Sequence, residues 1–379
     1  MWFIYGPPTD TPFGREDDIR KVTLYMRRGQ PLSLIGPRRI GKTSILLASI
    51  KQLNYPSVIV NAEEFVENEK GFDLHSFVSY TLESVMAEAY ERAGKGHRLK
   101  EIVKKSMRSL REMLGAIKVS FSIPEINSRI ELFLDKAEKG SKIGEEFSEV
   151  LDIPEILCEE LGFERFIVII DEFQYLRLAK QSMPELFHKM RSRWQFHKRV
   201  SYVISGSAVG MLEEIMSSKN EPFYQFFLIE RVYPFTRDVS IEFLRKGFEV
   251  ERVKYDLKNI DKIVDYVDGF PAWLNLIGIK VVMRGSTENI ESFLITLLED
   301  DNVRIAIDRD LGKLKPSAKS VLKKIAQLGG SAKVKDVVED KRWKANEALE
   351  QLRRYGYIER KEKGVYSILD PMVVHYLSH

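Results

Sequence analysis

The stretch that most constrains this chain is Gly36-Pro37-Arg38-Arg39-Ile40-Gly41-Lys42-Thr43, which satisfies G-x-x-x-x-G-K-[ST] at every fixed position. The apolar run Pro31-Leu32-Ser33-Leu34-Ile35 precedes it, and the helical pattern Ser44 to Ile50 follows. That is the strand, loop and helix setting a phosphate-binding loop needs. Gly36 and Gly41 let several backbone N–H groups close on phosphate oxygens. The helix starting near Lys42 points the positive end of its dipole at the same oxygens. Lys42 is placed for the β- and γ-phosphates of a nucleotide and the Thr43 hydroxyl for Mg²⁺. Together with Pro37, Arg38, Arg39, Ile40 and Ser44, these residues make the candidate nucleotide site.

A second feature is Ile167-Val168-Ile169-Ile170-Asp171-Glu172. Apolar residues ending in two acids put carboxylates at the C-terminal edge of a buried strand, where ligands of open α/β sheets bind. Asp171 is placed to hold Mg²⁺ and Glu172 to polarise an attacking water as general base. A third is Val203-Ile204-Ser205-Gly206-Ser207, a neighbouring strand that brings Ser205 or Ser207 towards a γ-phosphate; the plainer reading is a turn after a strand. Arg231 is the candidate arginine finger, acting in cis or in trans, against the alternative of a surface arginine. Arg38 and Arg39 are expected to pair with phosphate or with the acids.

Strands alternating with helices imply a parallel sheet with right-handed crossovers. The strands are read at Leu32–Ile35, Ser57–Asn61, Phe166–Ile170 and Val200–Ile204, with a first helix from Glu16 to Arg28. An insertion at about 66–150 adds helices over Phe72–Ala93, Leu99–Leu114 and Glu125–Ala137 and a strand over Ile117–Ile123, with no recognisable chemistry; it is read as a structural decoration or, alternatively, a specificity or partner surface. At 44% apolar and 30% charged residues, the 379-residue chain is that of a soluble globular protein of two or three domains. The single cysteine, Cys158, excludes an intrachain disulfide and a cysteine zinc cluster, and its apolar neighbours make it a core residue. No apolar run reaches the ~18–20 residues of a membrane span, and the short N-terminal apolar stretch lacks the marks of a signal peptide. Cytoplasm is the expected location.

The C-terminal 67 residues, Lys313 to His379, carry 15 Lys and Arg against 8 Asp and Glu, whereas the preceding 312 carry 44 against 48. Such asymmetry hints at nucleic acid. The pattern reads as three helices (Pro316–Leu328, Val334–Val338, Trp343–Tyr355) and a hairpin with a charged tip, a winged helix-turn-helix. Its third helix would offer Lys344, Asn346, Arg353 and Arg354 to a major groove, and its wing Arg360, Lys361 and Lys363 to phosphates. The alternative is a unit that packs on the core or binds protein, with its charges solvated.

These residues resemble the archaeal ATPase family, in the STAND branch of AAA+ P-loop NTPases, over roughly residues 8–280. The resemblance rests on Pro12-Phe13-Gly14-Arg15-Glu16, the phosphate loop, Ile-Ile-Asp-Glu-Phe-Gln-Tyr-Leu around Asp171, Gly206-Ser207 and Gly269-Phe270-Pro271. It implies that Phe13, Gly14, Arg15 and Pro271 contact the nucleotide, and that nucleotide state sets the angle between core and winged helix. Where the family often has Leu-Tyr-Gly-Arg, this chain has Phe223-Tyr224-Gln225-Phe226, which leaves the arginine finger open.

The expectation is an α/β P-loop NTPase core of the AAA+ kind over residues 1–236, a small helical lid over 237–312 and a winged helix over 313–379. Its cofactors are ATP or ADP and Mg²⁺; the absence of an Asn-Lys-x-Asp guanine motif also favours adenine. Two functions stay open. One is an ATP-hydrolysing enzyme acting at double-stranded DNA. The other is a slow nucleotide-locked switch with a protein partner or a second copy of itself.

Overall fold

The computed structural model describes residues 1–68, 71–93, 143–337 and 342–379. The helices expected over Leu99–Leu114 and Glu125–Ala137 and the strand over Ile117–Ile123 lie outside them.

Five strands form one parallel sheet: β1 (Leu32–Ile35), β2 (Ser57–Asn61), β3 (Phe166–Asp171), β4 (Val200–Gly206) and β5 (Leu228–Arg231), in the order β2-β3-β4-β1-β5. Strand β1 therefore lies between β4 and β5, and its C-terminal end is level with Gly206 on one side and Arg231 on the other. Asn61 on β2 is level with Asp171 on β3. This register brings the phosphate loop, Asp171 and the end of β4 to one sheet edge.

Both sheet faces are buried, as the continuous apolar strands require. Ile167, Ile169, Leu32, Leu34 and Val203 pack on one face, against the helices Glu16–Arg28 and Lys42–Leu53. Phe166, Val168, Ile170, Tyr202 and Ile204 pack on the other, under Leu74–Ala93, Ile143–Leu161, Leu186–Trp194 and Val209–Ser217. Cys158 is fully buried in this second layer, and burial pushes its thiol up to about 12. Among the described residues, no helix is long and apolar enough to cross a membrane.

Helices Arg237–Val250, Leu257–Val267, Pro271–Arg284, Ile290–Thr296 and Asp301–Gly312 follow β5. The turn before Pro271 needs its glycine: Gly269 has φ +70, and a Cβ there would lie 2.2 Å from the Phe235 carbonyl oxygen. Pro271 then occupies the first helical turn, where a missing N–H costs nothing.

The C-terminal unit has helices Pro316–Gln327, Val334–Val337 and Arg342–Arg354 and a three-stranded antiparallel sheet. Its strands are β6 (Ser331–Lys333), β7 (Ile358–Glu362) and β8 (Val365–Ile368), with β8 central. A last helix, Pro371–Ser378, is capped by Asp370, whose carboxylate accepts from the Met372 N–H at 3.0 Å. This unit does not stand apart. The first core layer runs through the lid helices into Leu322, Ile325, Leu352 and Met372 without a break.

Candidate active site

The phosphate loop leaves β1 at Gly36, where the backbone passes so close to Val232 that a Cβ would lie 2.6 Å from its carbonyl oxygen. Lys42 opens the following helix and is buried. Its ammonium donates to the carbonyl oxygens of Gly36 (3.0 Å) and Pro37 (2.9 Å). Burial lowers its pKa below the ordinary lysine value, while Glu172 and Asp171 act in the opposite direction.

The Thr43 hydroxyl donates to Asp171 Oδ2 at 3.0 Å, and the Ser205 hydroxyl to Asp171 Oδ1 at 2.6 Å. A threonine hydroxyl beside a carboxylate is a hard-oxygen donor set that suits Mg²⁺. Glu172 follows in left-handed backbone, φ +50. Its Oε2 accepts from Gln174 Nε2, from the Ser207 N–H (3.2 Å) and from the Ser207 hydroxyl (2.9 Å). The two serines thus serve the two acids, Ser205 on Asp171 and Ser207 on Glu172.

A cavity of about 1230 Å³ opens in front of these groups. Thr43, Asp171 and Glu172 line one part of it, and Trp2, Phe13, Arg15 and Phe235 another, with Pro271 on the lid side. Gly14, Gly36, Pro37, Ser205 and Ser207 do not line it. Arg15 has a role the sequence does not disclose. It is 5% exposed, lies 4.7 Å from the Phe235 ring centre and donates to the Ile40 carbonyl at 2.8 Å. It braces the phosphate loop from below. Burial lowers its pKa, against the opposing influence of Asp18.

Arg38 and Arg39 reach neither Asp171 nor Glu172. Arg38 donates to the Ser207 hydroxyl oxygen (3.3 Å), to Asp310 and to the Tyr357 hydroxyl (3.4 Å). Arg39 pairs with Asp310 (2.7 Å) and Asp370 (3.3 Å), donates to the Ala306 carbonyl (2.7 Å) and lies 4.8 Å from the Trp273 ring centre. Trp273 closes the cluster by donating its indole N–H to Asp370 at 2.9 Å. Both loop arginines therefore end on the lid and the C-terminal unit.

Three expected residues sit elsewhere than the sequence suggests. Arg231, at the end of edge strand β5, is 45% exposed, pairs with Glu213 and does not line the cavity. It is no finger in cis in this conformation. Arg353 and Arg354 are half-buried and already engaged with carboxylates. Arg353 pairs with Glu350 at 2.7 Å, and Arg354 lies 2.9 Å from Glu214 of the core. The helix they end is packed on the core: a Cβ on Gly210 would lie 2.8 Å from the Arg353 carbonyl oxygen. Asn346, Arg360, Lys361 and Lys363 are exposed, whereas the side chain of Lys344 lies outside the described ones.

A family model for an ATPase domain found predominantly in Archaea matches residues 13–277. No curated protein matches the chain in sequence. Among solved structures, the Walker-type ATPase PABY2304 of Pyrococcus abyssi superposes with a TM-score of 0.72 at 22% identity, covering 100% of both chains. The ORC2 protein of Aeropyrum pernix, in ADPNP and ADP complexes, gives 0.53 at 14% identity over 99% of this chain and 95% of that one. At these identities the structures speak for the fold, a P-loop NTPase of the AAA+ kind.

Proposed function

This chain belongs to the family of ATPase domains found predominantly in Archaea, and from that premise we propose that it is a Mg²⁺-dependent ATPase whose nucleotide state controls the C-terminal unit, a winged helix that binds double-stranded DNA when released. Lys42 and the loop N–H groups hold the phosphates. Thr43 and Asp171 hold Mg²⁺, which when bound neutralises charge on the β- and γ-phosphates. Glu172 orients the attacking water, and Phe13 and Pro271 border the base and the lid side of the cavity.

The observation that carries this reading is where the loop arginines end. Arg38 and Arg39 belong to the segment that wraps the phosphates, yet their guanidinium groups are held by Asp310, Tyr357 and Asp370. A change of phosphate occupancy moves the same residues that hold the C-terminal unit. The exposed Asn346, Arg360, Lys361 and Lys363 support a DNA surface. The contacts of Arg354 (2.9 Å) and Arg353 (4.0 Å) with Glu214 of the core support its being incomplete until the unit swings away. That same engagement favours the second reading, a slow switch that signals to a protein.

ATP turnover by the whole chain, with and without duplex DNA, separates the two. DNA-stimulated turnover that Glu172→Gln lacks supports the first. DNA binding is expected to weaken with salt, with a log–log slope of about −0.9 per phosphate contact. Retained nucleotide, no turnover and no DNA binding would leave the switch.

A further inference from the structure

Arginine carries only donors. Because Arg38 Nε donates to Ser207 Oγ, the Ser207 hydroxyl proton is directed to its other neighbour, Glu172 Oε2. That oxygen then receives three donors: Gln174 Nε2, the Ser207 N–H and the Ser207 hydroxyl. Among the described residues Oε1 receives none. A carboxylate pinned by one oxygen in this way is not free to swing and follow a water.

The other end of Arg38 is held from the C-terminal side. Its Nη1 donates to Asp310 and to the Tyr357 hydroxyl, and Tyr357 in turn donates to the Asp310 carbonyl. Burial alone would lower the Arg38 pKa, but Asp310 together with Tyr357, Glu172 and Tyr175 outweighs burial and raises it. The neighbouring backbone adds a second, independent route to the same serine. A Cβ on Gly356 would lie 2.5 Å from the Ser207 carbonyl oxygen, so the turn before Tyr357 rests directly on Ser207.

We propose that Arg38 is a positioning residue: while the C-terminal unit is docked through Tyr357, Arg38 fixes the Ser207 hydroxyl on Glu172 and so sets the orientation of that carboxylate. The inference rests on Glu172 being the general base. Undocking removes the Tyr357 hydroxyl from Arg38, leaves Asp310 as its remaining partner on that side, and so loosens Ser207 and Glu172. The loop arginine thereby reports the state of the C-terminal unit to the reacting end of the site.

Tyr357→Phe in the full chain tests this. It deletes one oxygen and keeps a ring that is 8% exposed, so the packing survives. Two changes are expected together. Turnover rises roughly 3- to 10-fold, the span of one lost hydrogen bond, with KM for ATP unchanged. The Ser207 amide, which donates to Glu172, exchanges faster with solvent in hydrogen-exchange mass spectrometry. Arg38→Lys, which lacks the Nε donor, also raises turnover and Ser207 exchange, with KM free to shift because Arg38 lines the cavity. The double variant adds nothing further to turnover or exchange, as expected of residues on one route. The proposal requires both readouts. A change in only one, in neither, or a multiplicative double variant overturns it. If wild type and Glu172→Gln hydrolyse ATP at equal rates, the assignment of the base has failed instead.

Discussion

Lys42 is a buried ammonium with two carbonyl oxygens for partners and a pKa held down by burial. A polyphosphate offers it full charges in place of dipoles, so much of the affinity for ATP is expected to pass through this group. Lys42→Ala is predicted to weaken ATP binding by about 100-fold or more, on the order of 2.7 kcal/mol, as read by calorimetric titration. Glu172→Gln is predicted to leave affinity within about threefold while turnover falls at least ~100-fold, the scale of lost general-base catalysis. Equal turnover in that variant would remove Glu172 from the chemistry. The two residues therefore separate binding from reaction at one site.

At the scale of elements, the sequence discloses those whose chemistry is local. The phosphate loop, β1 and β3 are read from contiguous residues, because a glycine-rich turn or an unbroken apolar run carries its own signature. Strands β3 and β4 run one and two residues past the expected ends, to Asp171 and Gly206, because neighbouring strands continue the ladder where apolarity stops. Strand β5, Leu-Ile-Glu-Arg, escapes the reading altogether: it is a largely exposed edge strand without an apolar pattern. The destinations of Arg38 and Arg39 were equally hidden, since Asp310 and Asp370 lie 272 and 331 residues further along the chain. Charge asymmetry pointed the third C-terminal helix at DNA; packing turns the end of that helix to Glu214.

Two predictions belong to these elements. Gly269→Ala combines positive φ with a backbone clash, so it is predicted to destabilise the lid by more than ~1 kcal/mol, seen as a lower midpoint in denaturant. The helix Pro371–Ser378 meets the lid through His375, which stacks on Tyr266 at 3.9 Å and donates from Nε2 to the Tyr266 carbonyl at 3.0 Å. Burial holds the His375 pKa below its ordinary 6.5, although the hydrogen bond to Tyr266 acts the other way. The unfolded chain therefore takes up this proton at a higher pH than the fold does. Stability is full above about 6.5 and is lost as pH falls from there through the lowered folded value. His197, likewise lowered chiefly by burial, adds a loss of the same sign. Thermal unfolding across pH 5–8 is expected to show the decline, and His375→Gln to flatten it; an unchanged slope would place the proton elsewhere.

One of the two core layers runs continuously from the sheet through the helices after β5 into the C-terminal unit, with the cavity at the junction. Ligand binding to such a junction is felt globally. Mg-ATP at 100 times its Kd is predicted to stabilise the chain by about 2.7 kcal/mol, and the gain should vanish in Lys42→Ala. A melting point raised equally in both would mean that nucleotide binds outside the phosphate loop.

Trp273 sits in the seam itself, its ring against Arg39 of the phosphate loop and its indole N–H on Asp370 of the C-terminal unit. Release of the C-terminal unit, as proposed, would strip this indole of its carboxylate partner while leaving Arg39 beside it. The protein thus carries a native optical reporter where the phosphate loop meets the C-terminal unit. With Trp2, Trp194 and Trp343 replaced by Phe, its emission would report the proposed release as nucleotide is added or exchanged.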